Sequence, residues 1–262
     1  MKFLICVDGS PAALEAARQG EALAEAAGAQ VTRLRVARQP RETAPEASTR
    51  LRVGEPVEQI LAEVSEGRYD LVVIGTSGGR GLAKLFMGST SSRLAKRSPV
   101  PLLVVKGRRE SIKRILVCTG GEMFGEQNAR WGGQVAAWTG ARVTILHVMS
   151  QMPLSERARL EDLDDTAPEA IAQNTREGAM LQNAVDAAVA VGAAAEVKPK
   201  LRHGLVLDEI LAEIEAGDYD LVVIGAHYAP PGMPWRGLLL DDVADQIIEQ
   251  SPRSVLVVRP VS

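Results

Sequence analysis

Residues Gly75–Ser91 contain the residue types that can bind an anion. The stretch follows the apolar run Asp70–Ile74, which is typical of a buried strand, and its glycines are spaced Gly75-x-x-Gly78-x9-Gly88. Glycines let backbone N–H groups approach a phosphate, because they have no Cβ in the way. The same glycines could instead serve only a tight turn, so the spacing alone leaves both interpretations open.

A helix is predicted to begin at the end of this stretch, near Gly88. Its N-terminus would offer unpaired N–H donors and a partial positive charge, and both favour a bound anion. The hydroxyl groups of Ser89, Thr90 and Ser91 can cap that helix or bond phosphate oxygens. Asp8 ends another apolar run, where it could bind a ligand, cap the helix that follows it, or do both.

The chain repeats itself, and the repeat shows which elements surround these residues. Residues 51–75 and 201–225 are identical at 15 of 25 positions, at an offset of 150. Two further alignments pair 27–36 with 139–148 at an offset of 112, and 98–105 with 251–258 at an offset of 153. We therefore predict two tandem domains of one fold, residues 1–110 and 111–262.

The two domains are not equally long. The rise in offset from 112 to 150 gives the second domain 38 extra residues between its second and third strands. There the segment 168–191 has a helical pattern, whereas the first domain has only 38–48, which is too short for a comparable helix. We predict one helix over 168–191 and no counterpart in the first domain.

Strands and helices alternate in each half. Strands are predicted near 2–7, 31–37, 49–53, 70–75 and 101–105, and again near 113–118, 142–149, 195–202, 220–225 and 254–258. Alternation of this kind predicts an α/β fold with two tandem, doubly wound, parallel five-stranded sheets. Ligands of such sheets bind at the carboxyl ends of the strands, so Asp8 and Gly75 can converge there.

Composition excludes several classes of protein. The net charge is −3, the pI is about 5.8, no basic block occurs and aromatic residues make up only 3%, so we expect no nucleic-acid partner. No apolar run of membrane-spanning length is present, and Asp8 makes the N-terminus acidic too early for a signal peptide, so we expect a cytoplasmic protein without a membrane partner. Cys6 and Cys118 fall in predicted buried strands and are interpreted as small apolar residues rather than zinc ligands.

The motifs Val7-Asp8-Gly9-Ser10 and Gly75-x-x-Gly78-x9-Gly88-Ser89 resemble those of the ATP-binding branch of the universal stress protein family. That branch has an Asp at the end of its first strand and Gly-x-x-Gly-x9-Gly-Ser/Thr after its fourth. The resemblance covers nearly the whole chain, as a tandem member. It implies a Rossmann-like fold of the adenine nucleotide alpha hydrolase-like type.

The resemblance also implies roles for individual residues. Asp8, with Gly9 and Ser10 in its motif, would bond the ribose or the adenine edge, and Val36 would meet adenine through its backbone. The residues implied near ribose and phosphates are Gly75, Thr76, Gly78, Gly88, Ser89, Thr90 and Ser91. The implied cofactor is ATP with Mg²⁺, and since no carboxylate stands out as a dedicated ligand, phosphate oxygens and water would hold the cation.

The second repeat departs from these motifs. Gly120 stands where the first repeat has Asp8, and beyond Gly225 the second glycine of the pair is replaced by Tyr228. Gly-Ser becomes Gly237-Leu238, and three intervening prolines remove N–H donors. We therefore predict one working site per chain and a structural role for the second domain.

Members of the family commonly pair through their last strands. The resemblance thus implies an intramolecular pseudo-dimer with Leu102–Val105 beside Val255–Val258. Uncovered edge strands also make a homodimer of the whole chain plausible.

Two classes of function fit these features, and a third is less well supported. The first is an ATP-binding stress-response module whose nucleotide state changes its shape or partners. The second is a slow ATP-hydrolysing enzyme of the same fold, which the sequence favours less because no Walker lysine follows the glycines and no acidic residue stands near the Ser89 helix. The third is a stress protein that binds no nucleotide and acts as an interaction scaffold, against which the intact glycine motif argues.

Overall fold

The computed structural model describes residues 1–38, 49–76, 90–149, 166–193, 196–226 and 238–259. Strands and helices of the first repeat are β1 (Lys2–Cys6), α1 (Pro11–Ala26), β2 (Gln30–Ala37), β3 (Thr49–Val53), α2 (Pro56–Gly67), β4 (Leu71–Gly75), α3 (Thr90–Arg97) and β5 (Leu102–Val105). Those of the second are β6 (Arg114–Cys118), α4 (Gly121–Thr139), β7 (Arg142–Met149), α5 (Ala167–Ala172), α6 (Arg176–Ala190), β8 (Val197–His203), α7 (Val206–Gly217), β9 (Leu221–Gly225), α8 (Leu238–Gln250) and β10 (Ser254–Val258). The predicted alternation of strands and helices is confirmed.

The chain forms two compact units whose limits differ from those of the repeats. The first unit contains Met1–Ser111 together with Ala226, α8 and β10, and the second unit contains Ile112–Gly225. The last helix and strand of the second repeat therefore pack with the first repeat. Division of the chain into domains 1–110 and 111–262 stays a prediction from the repeat.

The first unit has the strand order β3-β2-β1-β4-β5-β10. Neighbouring strands from β3 to β5 run parallel, and β10 runs antiparallel to β5, with Val255 opposite Val104 and Val257 opposite Leu102. This pairing confirms the predicted contact between Leu102–Val105 and Val255–Val258.

The second unit is built on the parallel strand order β9-β6-β7-β8. Both units thus have the α/β fold with a mostly parallel sheet that the alternation predicted. β4, β5 and β9 are Val, Ile and Leu runs without polar alternation, and β5, the residues of β4 up to Ile74 and the middle of β1 are buried. Such runs are expected where helices cover both faces of a parallel sheet.

The prediction of a single helix over 168–191 is wrong, because the chain turns between α5 and α6. Asn174 adopts a left-handed backbone with φ of +52°, and Thr175 begins the next helix by accepting a hydrogen bond from Gly178 N at 3.1 Å. Gly178 approaches the preceding helix so closely that a Cβ on it would lie 2.0 Å from the carbonyl oxygen of Ala170. Periodicity in the sequence could not reveal this contact.

The first unit has an ion pair at positions where the second unit packs α4 against α6. In the second unit α4 packs against α6, and a Cβ on Gly133 would lie 2.5 Å from the carbonyl oxygen of Ala188. In the first repeat the position aligned with Gly133 is Glu21, which accepts a hydrogen bond from Arg33 at 2.7 Å. Arg33 aligns with the fully buried Ile145, so an ion pair stands where the second unit has a helix-covered apolar contact.

Candidate functional site

Asp8 lies at the carboxyl edge of the first unit's sheet, two residues after β1. Its side chain is exposed, and Oδ1 accepts a hydrogen bond from Ser10 N at 2.9 Å. Ser10 in turn is the N-cap of α1, since its Oγ accepts from Ala13 N at 3.1 Å. Of the two roles open to Asp8, capping α1 thus falls to Ser10. Asp8 orders the turn before the helix and keeps its carboxylate at the open edge.

Gly9 and Gly75 are glycines for different reasons. Gly9 has a φ of +81°, which disfavours a side chain, although a Cβ there would meet open space. At Gly75 a Cβ would lie 2.1 Å from the carbonyl oxygen of Ala12 in the first turn of α1. The end of β4 therefore approaches the backbone of α1, and this contact alone requires glycine at position 75.

Strand order brings these residues to one place. β1 lies between β2 and β4, so the connection from β1 leads to one side and the strand that follows α2 pairs on the other. Asp8, Val36 and Gly75 therefore stand at the same edge, at the switch point where doubly wound sheets bind ligands. Val36 is half-buried opposite Arg52 of β3, and Thr76 N donates to Val105 O at 3.1 Å.

Helix α3 begins at Thr90, on the crossover that leaves this edge after β4. Thr90 is exposed, whereas Ser91 is buried and 5% exposed. Thr90 is therefore the hydroxyl that solvent, or a ligand, can reach most directly. The predicted site residues Gly78, Gly88 and Ser89 lie outside the described part of the chain.

Ion pairs hold α3 against two other helices of the first unit. Arg97 donates to Glu58 of α2 at 2.5 and 2.9 Å, and Arg93 donates to Glu55 at 3.2 Å. The hydrogen bond from Arg97 holds the pKa of Glu58 below its ordinary value. Lys96 pairs with Asp245 of α8. These contacts fix α3 through its side chains from Arg93 to Arg97.

The second unit has different chemistry at the equivalent edge. Gly120 precedes α4 where the first repeat has Asp8, so no carboxylate stands there. Thr119 Oγ1 lies 2.8 Å from His147 Nδ1, and burial lowers the pKa of His147. A cleft of about 250 Å³ opens beside Thr119, between α4 and α6. The substituted residues from 227 to 237 lie outside the described part.

The two cysteines are reduced, and neither resembles a reactive thiol. Burial raises the pKa of Cys118 to about 12. Burial and the charge of Asp8 raise the pKa of Cys6 in the same way, to about 12. In the segments that the structure describes, no three His, Cys, Asp or Glu side chains lie close enough to hold a metal ion. Among the described helices, none is long and apolar enough to cross a membrane.

Sequence reasoning missed a buried ion cluster that occurs in both repeats. In the first, the carboxylate of Glu63 accepts from Tyr69 Oη at 2.7 Å and from Arg52 Nε at 2.8 Å. In the second, Glu213 accepts from Tyr219 Oη at 2.7 Å and from Arg202 Nη1 at 3.0 Å. The Glu, Tyr and Arg of the cluster all recur at an offset of 150, and this identity of polar residues was the sequence feature that could have predicted it.

The comparisons with known proteins agree with this architecture. The model of the universal stress protein family matches residues 36–106 and 111–259. Universal stress protein MJ0531 of Methanocaldococcus jannaschii is 36% identical over 58 residues, which are 22% of this chain and 34% of that protein. The aligned part thus spans about a third of that relative's length.

Solved structures resemble the whole chain. A universal stress protein from Archaeoglobus fulgidus aligns over 99% of this chain and 96% of its own, with 16% identity and a TM-score of 0.64. A putative universal stress protein from Pseudomonas aeruginosa aligns over 99% and 93%, with 15% identity and a TM-score of 0.69. At these identities the likeness shows the fold, while the family model covers most of the sequence. The chain therefore belongs to the universal stress protein family.

Proposed function

We propose that the protein is an ATP-binding stress-response module with one working nucleotide site per chain, in the first repeat. One observation carries the proposal, the exposed Asp8 carboxylate at the switch point of the first unit's sheet. The second repeat has Gly120 at the corresponding position. Asp8 orders the turn before α1, but the second repeat begins α4 after Gly120, without a carboxylate at that position.

The described residues suit a nucleoside. Asp8 Oδ1 already accepts from Ser10 N, so the carboxylate is oriented and its other oxygen lies at the open edge. An oriented carboxylate is a good acceptor for the paired hydroxyls of a ribose or for the amino group of adenine. The backbone of Val36, at the end of the neighbouring strand, would bond adenine.

The phosphates would bind at the start of α3. Thr90, together with Ser89 and Gly88 before it, would offer hydroxyl and backbone N–H donors at a helix N-terminus. Ser91 would contribute mainly its N–H, since its side chain is buried. Gly78 would let the chain pass close to the ribose, with Gly75 and Thr76 before it in the same segment. Mg²⁺ would be held by phosphate oxygens and water.

Calorimetry with ATP and Mg²⁺ tests this proposal. We expect one ATP per chain, and a stoichiometry of two would show that the second repeat also binds. Asp8→Ala should weaken binding by about tenfold or more, since it removes a charge-assisted hydrogen bond. Asp70→Ala is a matched control, because Asp70 accepts from Lys2 N at the opposite edge of the sheet. Equal loss in both variants would contradict a site at Asp8.

The proposal includes a regulatory rather than a metabolic role. We expect ATP turnover well below about 1 s⁻¹, the lower end of ordinary enzymes. Faster steady turnover would make the protein an enzyme instead. We further propose a cytoplasmic protein in which the two repeats form a pseudo-dimer, supported by the pairing of β5 with β10. Light scattering would test whether whole chains also form homodimers.

A further inference from the structure

Arg259, which directly follows β10, is buried and bonds the end of α3. It is 5% exposed, and its Nη2 donates to the carbonyl oxygen of Ala95 in the last turn of that helix. Its Nη1 lies 3.4 Å from the carbonyl oxygen of Ala226. A residue of the second repeat thus binds the helix whose first turn forms part of the proposed phosphate site.

Lys106 makes the corresponding contact in the other direction. It follows β5, is 6% exposed, and donates through Nζ to the carbonyl oxygens of Ile248 and Ser251 at the end of α8. Lys106 and Arg259 are 153 residues apart, the offset that also aligns Ser98 with Ser251. Each repeat therefore supplies a buried cation that binds the last turn of the other repeat's helix.

Such a contact has a strong influence on where α3 lies. The carbonyl groups at a helix C-terminus carry a partial negative charge, which a cation stabilises more strongly when both are buried. α3 has only eight residues, too few to be stable alone, so its position depends on its contacts. Because a helix this short moves as one body, a shift at Ala95 also moves Thr90.

We propose that Arg259 is a positioning residue of the nucleotide site, acting through α3 on the phosphate groups. This inference rests on the proposed function. It also gives the second repeat a defined role in binding, because its last strand carries the cation that completes the site of the first repeat, although its own nucleotide motif is degenerate. The nucleoside subsite at Asp8 lies on other elements and is independent of Arg259.

The decisive experiment compares ATP with adenosine in Arg259→Met and Lys106→Met, using the full chain and calorimetry. We expect Arg259→Met to weaken ATP by about tenfold, because the phosphates lose alignment, and to change adenosine affinity less than about twofold. Lys106→Met removes an equally buried cation from α8, so both affinities should stay at the wild-type level. Unchanged ATP affinity in Arg259→Met, or equal loss of ATP and adenosine, would overturn the inference.

A second variant keeps the experiment decisive if Arg259→Met does not fold. Arg259→Lys keeps the charge, but a single ammonium group cannot bond both Ala95 and Ala226. We therefore expect Arg259→Lys to bind ATP more weakly than the wild type, by less than about tenfold, and to bind adenosine with unchanged affinity. Wild-type ATP affinity in Arg259→Lys would then refute the positioning role. Absence of ATP binding by the wild-type protein would refute the proposed function itself, and this inference with it.

Discussion

Gly75 at the end of β4 and Ala12 in the first turn of α1 are in backbone contact. A Cβ on Gly75 would lie 2.1 Å from the carbonyl oxygen of Ala12 and 2.8 Å from Ala13 N. Neither atom can move without displacing α1, whose N-terminus follows Asp8. One glycine of the nucleotide motif thus sets the distance between the strand and the helix that frame the site.

Gly75→Ala should therefore destabilise the protein by about 2–3 kcal/mol, as overpacking against backbone does. Gly225→Ala is the matched control. There a Cβ would meet the Asn128 side chain at 3.1 Å and Phe124 Cβ at 3.2 Å, so a smaller loss, about 1 kcal/mol, is expected. Urea unfolding of both variants measures the difference. Equal losses would mean that the backbone contact at Gly75 is no more restrictive than the side-chain contacts at Gly225.

Ser10→Ala should separate capping from ligand binding. Loss of the N-cap bond to Ala13 should cost about 1 kcal/mol of stability. Thr175→Ala removes the equivalent cap of α6 in the second unit and should cost a similar amount. ATP affinity should change little in either variant, because alanine at position 10 keeps the backbone N–H that orients Asp8. A loss of affinity in Thr175→Ala would show that capping acts only through overall stability.

The buried Glu63 should make stability depend on pH. Burial acts to raise its pKa, but hydrogen bonds from Tyr69 and Arg52 outweigh burial and hold the pKa below its ordinary value. A lowered folded-state pKa means that the stabilisation is complete above the unfolded value, about 4.3, and is lost as pH falls through the folded value. Glu63→Gln should therefore flatten the acid side of the stability profile and cost about 2 kcal/mol at neutral pH.

Chemical unfolding of Glu63→Gln between pH 3 and pH 7 would measure this. Glu58→Gln is the control, because Glu58 pairs with Arg97 on an exposed surface, where ion pairs contribute little. If the two variants have the same pH profile, the buried cluster contributes nothing specific. In the second unit, burial acts to raise the pKa of Glu213, but hydrogen bonds from Lys200, Tyr219 and Arg202 hold it below its ordinary value, and Glu213→Gln should repeat the result.

Thiol labelling should distinguish the folded protein from the unfolded chain. With the pKa of both Cys6 and Cys118 raised to about 12, almost no thiolate is present at pH 8. Iodoacetamide should leave the native protein unlabelled and modify both cysteines in urea. Rapid labelling of one cysteine in the native protein would mean that its strand opens to solvent.

Much of the fold was predictable from the chain alone. Parallel strands buried on both faces must be apolar along their whole length, so a run such as Leu71–Ile74 can be recognised as a strand from the sequence. The repeat then supported the strand predictions, because aligned segments of the two halves must form the same strand. The shorter connection between β2 and β3 followed from the change in offset. The location of Asp8 and Gly75 at one edge of the sheet was also predictable, because the carboxyl ends of neighbouring parallel strands lie at the same edge.

Other features depend on contacts between residues far apart in sequence. The turn at Asn174 exists because Gly178 packs on Ala170, which no periodicity records. Gly75 looks like a ligand-binding glycine in the motif, but its neighbour Ala12 already requires it.

The amino-acid sequence by itself determined the α/β class, the tandem repeat and the presence of the glycine motif in one copy. Apolar residue types indicate which segments are buried, and glycines indicate where the backbone has extra conformational freedom. Only the tertiary structure decided that Ser10 rather than Asp8 caps α1, and that Arg259 and Lys106 each bind a helix of the other repeat. A long cationic side chain has many possible acceptors, and folding alone selects which carbonyl groups lie within its reach.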